Sequence, residues 1–380
     1  TLAENTNQQP RKDVFNMAKS LRHLVLILGD QLNLDASALA DFDPSQDAIW
    51  MAEVMEESTH VPSSKQRSTL FLSAMRHFAQ SIEANGWPVH YTRLDDKDNT
   101  GTLAGELDKA LQKFKPQQMV MTAPGEWRVL QNLRSIAKKN NLPLEIRDDT
   151  HFFSTVRDFA DHAKGRKQLR QEFFYRELRQ KTGILMEGKK PIGGQWNFDE
   201  DNRGSFGKAG PGQLPQPTRF EPDAMTKEVM AVVNDRLSKH PGTLNSFGWP
   251  VTRTQALEAL DSFIQHRLPS FGLYQDAMWE GEVWLYHSHI ASALNLKLLN
   301  CLMKIAPKCS RLLGSAKVPS QRWCARRITS SDYVRTSRLA RRKHALGHSM
   351  PVTKLLLSRS APLPSTHWVE RTWVGPSSER

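Results

Sequence analysis

The feature that most constrains this chain is a repeat between Leu21 and Asp149, in which short β-rich runs alternate with amphipathic helical stretches. The runs are HLVLIL (His23–Leu28), AIWMA (Ala48–Ala52), VHYTRL (Val89–Leu94), QMVMTA (Gln118–Ala123) and LEIR (Leu144–Arg147). Between the second and third, Leu70, Phe71, Ala74, Met75, Phe78 and Ile82 keep a 3.6-residue period that stops at Asn85-Gly86. This alternation predicts a doubly wound α/β domain of about five parallel strands with helices on both faces. Right-handed crossovers put the C-terminal ends of all strands on one edge, and ligands of such sheets bind outside that edge.

The residues that follow the strands therefore carry the functional expectation. They are Gly29-Asp30 after the first run, Glu53 to Glu57 after the second, and Pro124-Gly125-Glu126 after the fourth. Glycine at a strand-to-helix turn lets a ligand approach the backbone, and a carboxylate there can accept hydrogen bonds from a polar ligand. Each acid read singly is equally a helix cap or a solvated turn residue. Neither GxGxxG nor GxxxxGK[ST] occurs, so the sequence offers no Rossmann dinucleotide fingerprint and no P-loop.

Charge divides the chain sharply. Residues 301–380 hold 16 of the 52 Lys and Arg but only Asp332, Glu370 and Glu379 of the 40 acids, so the net +12 belongs to that stretch and residues 1–300 sum to −1. A nucleic-acid argument must then rest on local patches. All three cysteines, Cys301, Cys309 and Cys324, fall in the basic stretch at spacings that match no zinc pattern, and they read as free thiols. No apolar run approaches the roughly 20 residues of a membrane span, so the expectation is a cytoplasmic, monomeric protein with no membrane partner. Residues 1–20 read as a disordered polar tail.

Beyond Asp149 the pattern changes. KGRKQLRQEFFYRELRQKTG (Lys164–Gly183) sets Lys164, Arg166, Lys167, Arg170, Arg176, Arg179 and Lys181 around Phe173, Phe174 and Tyr175. Such interleaving can track a phosphate backbone. It can equally be a surface helix whose Glu172 and Glu177 make ordinary i,i+4 pairs. Ile192–Asn197 reads as an irregular connector and Ser205–Pro217 as a loop. Thr252 with Gln255 has capping-box form ahead of Leu257, Leu260 and Ile264, up to a break at Leu268-Pro269. The apolar, aromatic run Phe271–Asn300 reads as buried helix in an all-α domain.

Eight segments taken in order resemble the cryptochrome/photolyase family, in particular its bacterial iron–sulfur (6-4) photolyase branch. They are LVLILGDQL (Leu24–Leu32), EVMEESTHV (Glu53–Val61), SAMRHFAQ (Ser73–Gln80), PGEWRV (Pro124–Val129), Lys164–Gly188, Gly193–Arg203, FGWPVTRTQAL (Phe247–Leu257) and Phe271–Asn300. The resemblance implies an antenna domain over residues 21–150, a connector with a basic-aromatic helix over 151–245, and the start of a helical FAD-binding domain over 246–300. It implies a 6,7-dimethyl-8-ribityllumazine antenna against Asp30, Glu57, Gly125 and Glu126. Tyr274, His287, Ser288 and Asn295 would lie on the FAD side, and Lys164, Arg166, Lys167, Arg170 and Arg176 toward damaged DNA. His60 replaces a Tyr and Ala291 a phosphate-facing Ser that relatives carry.

Relatives continue past this point with further flavin-pocket helices and four cysteines for a [4Fe–4S] cluster. Three cysteines cannot supply that site, and residues 301–380 match nothing there. The stretch reads as an out-of-frame translation, or alternatively as a basic DNA-binding extension centred on Arg341-Arg342-Lys343. The functional expectation is a light-dependent (6-4) photolyase or cryptochrome flavoprotein, incomplete and catalytically impaired in this chain, with no catalytic residue assigned. The alternative is a non-catalytic lumazine- or flavin-binding module or blue-light sensor fragment.

Overall fold

The structure, a computed structural model, describes residues 21–196 and 203–300. Five parallel strands form one sheet: β1 (His23–Leu26), β2 (Asp47–Ala52), β3 (Val89–Thr92), β4 (Gln118–Thr122) and β5 (Leu144–Arg147), in the order β3-β2-β1-β4-β5. All five sequence runs are strands, and three of them, β1, β3 and β4, end one or two residues before the run does. The connecting helices are α1 (Met55–Thr59), α2 (Lys65–Ala84), α3 (Leu103–Phe114) and α4 (Trp127–Lys139).

Side-chain alternation within the strands explains the two layers. Leu24 and Leu26 of β1 join Ala48, Trp50, Met119 and Met121 beneath Leu107, Leu111, Val129 and Leu133 of α3 and α4. Val25, Ile27, Ile49, Met51 and Val120 face the other way, against Leu70, Ala74, Phe78 and Ile82 of α2. Burying side chains of this size contributes about 1.5–3 kcal/mol each, which is why both strand faces are apolar. The second face is not closed by α2 alone. Its core continues into Val229 and Val233 of α7 (Ala224–Arg236) and into residues 253–300. In the chain, β5 is followed before α7 by α5 (Val156–Ala163), α6 (Gln171–Thr182) and a two-stranded ribbon of β6 (Met186–Glu187) and β7 (Lys190–Pro191).

Helix ends follow the local chemistry. Ser64 accepts from the backbone N–H of Arg67 at the start of α2, and α2 stops at Asn85 with Gly86 at φ +72°. The Thr252–Gln255 capping box is formed at the start of α8 (Arg253–His266), whose buried face is Ala256, Ala259, Leu260, Phe263 and Ile264, with Leu257 half-buried beside it.

Two sequence expectations are corrected. Lys164–Gly183 is not one helix: Gly165 has φ +72°, and only Gln171–Thr182 is helical. Phe271–Asn300 is not continuous helix. Among its residues only the end of α9 (Leu268–Tyr274) and α10 (Ala291–Asn295) are helical. Between them Asp276, Glu280, Gly281 and Glu282 interrupt the apolar period, and the chain turns through Gly281 (φ +84°) with Trp279 bridged antiparallel to Glu282. Met278 is 81% exposed there.

Residues 253–300 dock on the sheet edge through polar contacts as well as core. Leu32 N–H donates to the Leu296 carbonyl at 3.0 Å. Lys297 Nζ donates to Asp149 Oδ2 at 2.8 Å, with both side chains buried. No helix among the described residues is long and apolar enough to cross a membrane.

Candidate functional site

The strand order reverses between β1 and β4, and the crevice at such a switch point is where open α/β sheets take ligands. Asp30 follows β1 and Gly125 follows β4 on this crevice. The Cβ position of Gly125 lies 3.5 Å from Asp30 Oδ2, so the absent side chain keeps backbone and carboxylate side by side. Gly29 is held close for another reason: a Cβ there would meet Met75 Sδ at 2.9 Å.

The acids after β2 divide into two kinds. Glu53 is buried and structural. Its Oε1 accepts from Arg76 Nε at 2.7 Å and from Tyr91 Oη at 2.6 Å, and its Oε2 from Arg76 Nη2 at 2.9 Å and Leu94 N–H at 2.8 Å. Burial and the Glu53 charge push the Tyr91 hydroxyl well above the ordinary phenol value, so it stays a donor. Glu56 and Glu57 instead face the crevice on α1. Arg128, in the first turn of α4, donates to Glu56 Oε1 at 3.1 Å, Glu57 Oε1 at 2.7 Å and Glu126 Oε1 at 2.9 Å.

One guanidinium thus gathers three carboxylates, tying the end of β2 to the end of β4. Burial raises Glu57 above the ordinary carboxylate range, Arg128 opposes that, and Glu126 and Glu56 add to it, although the Glu57 side chain is still 36% exposed. Burial works to lower the Arg128 guanidinium, and the hydrogen bonds and charges of Glu57 and Glu126 outweigh it, holding Arg128 above its ordinary value. His60 Nε2 lies 3.9 Å from Glu126 Oε1.

The four sheet-edge residues Asp30, Glu57, Gly125 and Glu126 therefore share one edge, and Arg128 organises two of them. Arg128 was not separable by sequence, because its signal is only a base two residues after Glu126 in a chain with many bases.

On the helical side, Tyr274 stacks on Phe206 with centroids 4.6 Å apart and on Tyr286 at 5.7 Å. His287 meets Phe271 edge-on at 5.6 Å. Ser288 is half-buried in the turn before α10, whereas Asn295 is exposed at the end of α10. Beneath this turn lies Arg267, only 1% exposed, whose Nη1 contacts His289 Nδ1 at 3.1 Å. Neither of these residues stood out in the sequence.

The basic segment is divided by its partners. Arg166 pairs with Glu177 at 2.5 Å, and Arg176 pairs with Glu172 one helical turn away and lies over the Trp196 ring. Arg179 is buried, donating to the carbonyls of Ile184 and Leu185 and to Tyr175 Oη. Lys164, Lys167 and Arg170 are exposed ahead of α6, with Arg170 over the half-open Phe173 ring at 5.9 Å. Among the described residues no cluster of three or more His, Cys, Asp or Glu is arranged to hold a metal ion. Cys301, Cys309, Cys324 and the rest of residues 301–380 lie outside the described residues, as do residues 1–20.

A family model described as deoxyribodipyrimidine photo-lyase-related protein matches residues 25–249. The chain is 43% identical over 283 residues to a (6-4) photolyase of Agrobacterium fabrum (strain C58), covering 74% of this chain and 55% of that protein. It is 21% identical over 194 residues to uncharacterized protein R852 of Acanthamoeba polyphaga mimivirus, covering 48% of this chain and 94% of that one. The fold is similar to that of a bacterial class III photolyase from Agrobacterium tumefaciens, with a TM-score of 0.51 at 12% identity over 86% of this chain and 60% of that one. The chain thus spans little more than half the length of the (6-4) photolyase it matches.

Proposed function

Because the chain belongs to the deoxyribodipyrimidine photo-lyase-related protein family, we propose that it is a flavoprotein of the (6-4) photolyase type, whose described residues comprise an antenna domain, a connector and the first part of a flavin-binding region. The observation that carries this reading is the 43% identity over 283 residues to a (6-4) photolyase. In this reading residues 21–150 take the antenna chromophore, 151–245 are the connector and 246–300 lie toward FAD.

The residues present fit a polar chromophore at the sheet edge. Gly125 leaves its backbone open beside Asp30, and the Glu57–Arg128–Glu126 group offers a donor and acceptors across the crevice. A lumazine held there would collect light and pass excitation through space. What this chain contributes is fixed position, because Arg128 locks α1 to the turn ahead of α4. The aromatic group Phe206, Tyr274 and Tyr286, with the Ser288 hydroxyl nearby in sequence, fits the flank of a flavin. When bound and reduced, FAD would supply the photoexcited electron that repairs a lesion base turned out of the duplex. Of the basic segment, Lys164, Lys167 and Arg170 are the residues offered to damaged DNA, since Arg166 and Arg176 already hold acids.

The test is visible absorption of the purified full chain followed by a light-dependent repair assay on (6-4)-damaged DNA. Bound flavin with repair activity supports the reading, while lumazine bands without flavin would identify a non-catalytic binding module. Neither chromophore bound, and none taken up on incubation, would overturn both.

A further inference from the structure

The basic-aromatic motif carries three adjacent rings, Phe173, Phe174 and Tyr175, and the fold treats them unequally. Phe174 and Tyr175 are only 2% and 5% exposed; Phe174 meets the Phe159 and His162 rings, and the Tyr175 hydroxyl accepts from Arg179. Phe173, one residue earlier on α6, is 40% exposed. Successive helical residues are rotated by about 100°, so three neighbours cannot share one buried face, and the third ring is left in water.

The bases divide in the same way. Glu177 holds Arg166 and His162, and Glu172 holds Arg176, so the acids of the motif are already engaged. Lys164, Lys167 and Arg170 stay exposed, and together with Phe173 they recur every third residue along the lead-in to α6 and its first turn. Arg170 lies over the Phe173 ring, its guanidinium carbon 5.9 Å from the centroid. Gly165 has φ +72° and no heavy atom within 4 Å of where a Cβ would stand, so the start of this row is open as well. Three cations ending in an open ring offer charge to phosphates and a flat apolar face to a base.

We propose that Phe173 is a base-stacking residue, and that Lys164, Lys167, Arg170 and Phe173 grip an unpaired DNA strand in preference to intact duplex. This rests on the DNA reading of the three bases given above and adds to it the form of DNA that the surface selects. A duplex turns its phosphates outward and keeps the faces of its bases stacked inside, so against duplex the ring is idle and only the three charges act. An unpaired strand frees those faces for Phe173, and the planar Arg170 guanidinium beside the ring extends the platform. An anionic membrane surface would also attract the bases, but it needs an apolar face to enter it, and Phe173 is the one large apolar side chain exposed on α6.

The test is equilibrium binding of the full chain, read by fluorescence anisotropy over a salt series. Three labelled probes of about sixteen nucleotides are compared: an oligothymidylate, the same strand paired with its complement, and an abasic strand. Residues 301–380 add their own positive charge against all three, so the readout is the ratio of affinities between probes. Phe173→Ala is expected to weaken the oligothymidylate roughly fivefold to a hundredfold while duplex, abasic strand and every salt slope stay as they were. Phe173→Trp should keep the preference for the unpaired strand. Replacing Lys164, Lys167 and Arg170 together by Gln should instead weaken all three probes and lower every slope.

An oligothymidylate affinity unchanged in Phe173→Ala, with slopes lowered by the triple variant, would overturn the stacking and keep the DNA reading of the bases. A loss in Phe173→Ala that is equal for all three probes would overturn it too, because the ring would then act on the fold and not on a base. Vesicles of phosphatidylserine and phosphatidylcholine that bind through Phe173 and displace the oligothymidylate would overturn it in favour of a membrane surface. Binding that responds to neither variant would overturn both the stacking and the DNA reading of this segment.

Discussion

Glu53 in the sheet region and Arg267 in the helical region are both almost wholly buried, and they are treated in opposite ways. Around Glu53 the fold assembles Arg76, the Tyr91 hydroxyl and the Leu94 amide, so the charge is met within one layer of the sheet. Around Arg267 the described residues supply a neutral imidazole. Asp47 likewise has Arg22 at 2.5 Å, and Glu106 has Lys109 at 3.4 Å. Glu53, Asp47 and Glu106 thus meet their counter-charges inside the sheet region, whereas Asp149 at its edge is met by Lys297 of residues 253–300. Backbone conformation follows the same division, since Leu285, His289 and Lys297 all have positive φ within thirteen residues.

The largest expected effect tests the pairing at Glu53 directly. Glu53→Gln leaves Arg76 buried without its main counter-charge and should cost about 3–5 kcal/mol in urea unfolding. A loss of under about 1 kcal/mol, typical of an exposed pair, would erase the contrast. Next is the tie between the regions. Lys297→Met removes the ammonium partner of Asp149 and should cost about 3 kcal/mol, partly restored by adding Asp149→Asn. If the single and double variants unfold alike, the pair does not couple the regions.

His289 predicts an acid-side effect confined to the helical region. Its folded value of about 3 lies below the ordinary 6.5, so the unfolded chain takes the proton first. Its contribution is intact above pH about 6.5 and is lost as pH falls toward 3. His289→Gln should flatten that part of the stability curve, and an unchanged curve would show that the ring is more open than the fold implies.

A smaller effect comes from Thr252→Ala, which removes the cap of α8 and should cost about 1 kcal/mol, read from the urea midpoint. Smallest of all in stability is charge reversal at Lys164, Lys167 and Arg170, within about 0.5 kcal/mol. The same triple variant should lower the salt slope of DNA retention by about one for each phosphate that a base no longer neutralises, whereas an unchanged slope would remove this segment from any DNA surface.

Much of the fold was legible because its signals are local. Strand runs apolar on both faces, the Asn85-Gly86 stop and the Thr252–Gln255 box each act within a few residues. The convergence of Asp30, Glu57, Gly125 and Glu126 on one edge was legible through topology, since parallel crossovers permit no other arrangement. The helical expectation for Phe271–Asn300 failed because apolar content was read as periodicity, while Gly281 and its acidic neighbours turn the chain. The long basic helix failed similarly at Gly165.

Sequence alone determined the five-stranded doubly wound sheet, its ligand-facing edge and the order of segments along the chain, because hydrophobic period and turn chemistry are written residue by residue. Only the tertiary structure decided which charges are used internally and which are left over. Arg128 joining three acids, Arg166 and Arg176 held by glutamates, and Arg267 buried beside His289 look alike as isolated letters. Their roles separate only when the fold sets the distance to each counter-charge and the depth at which it is buried, the two quantities that govern the energy of an ion in a protein.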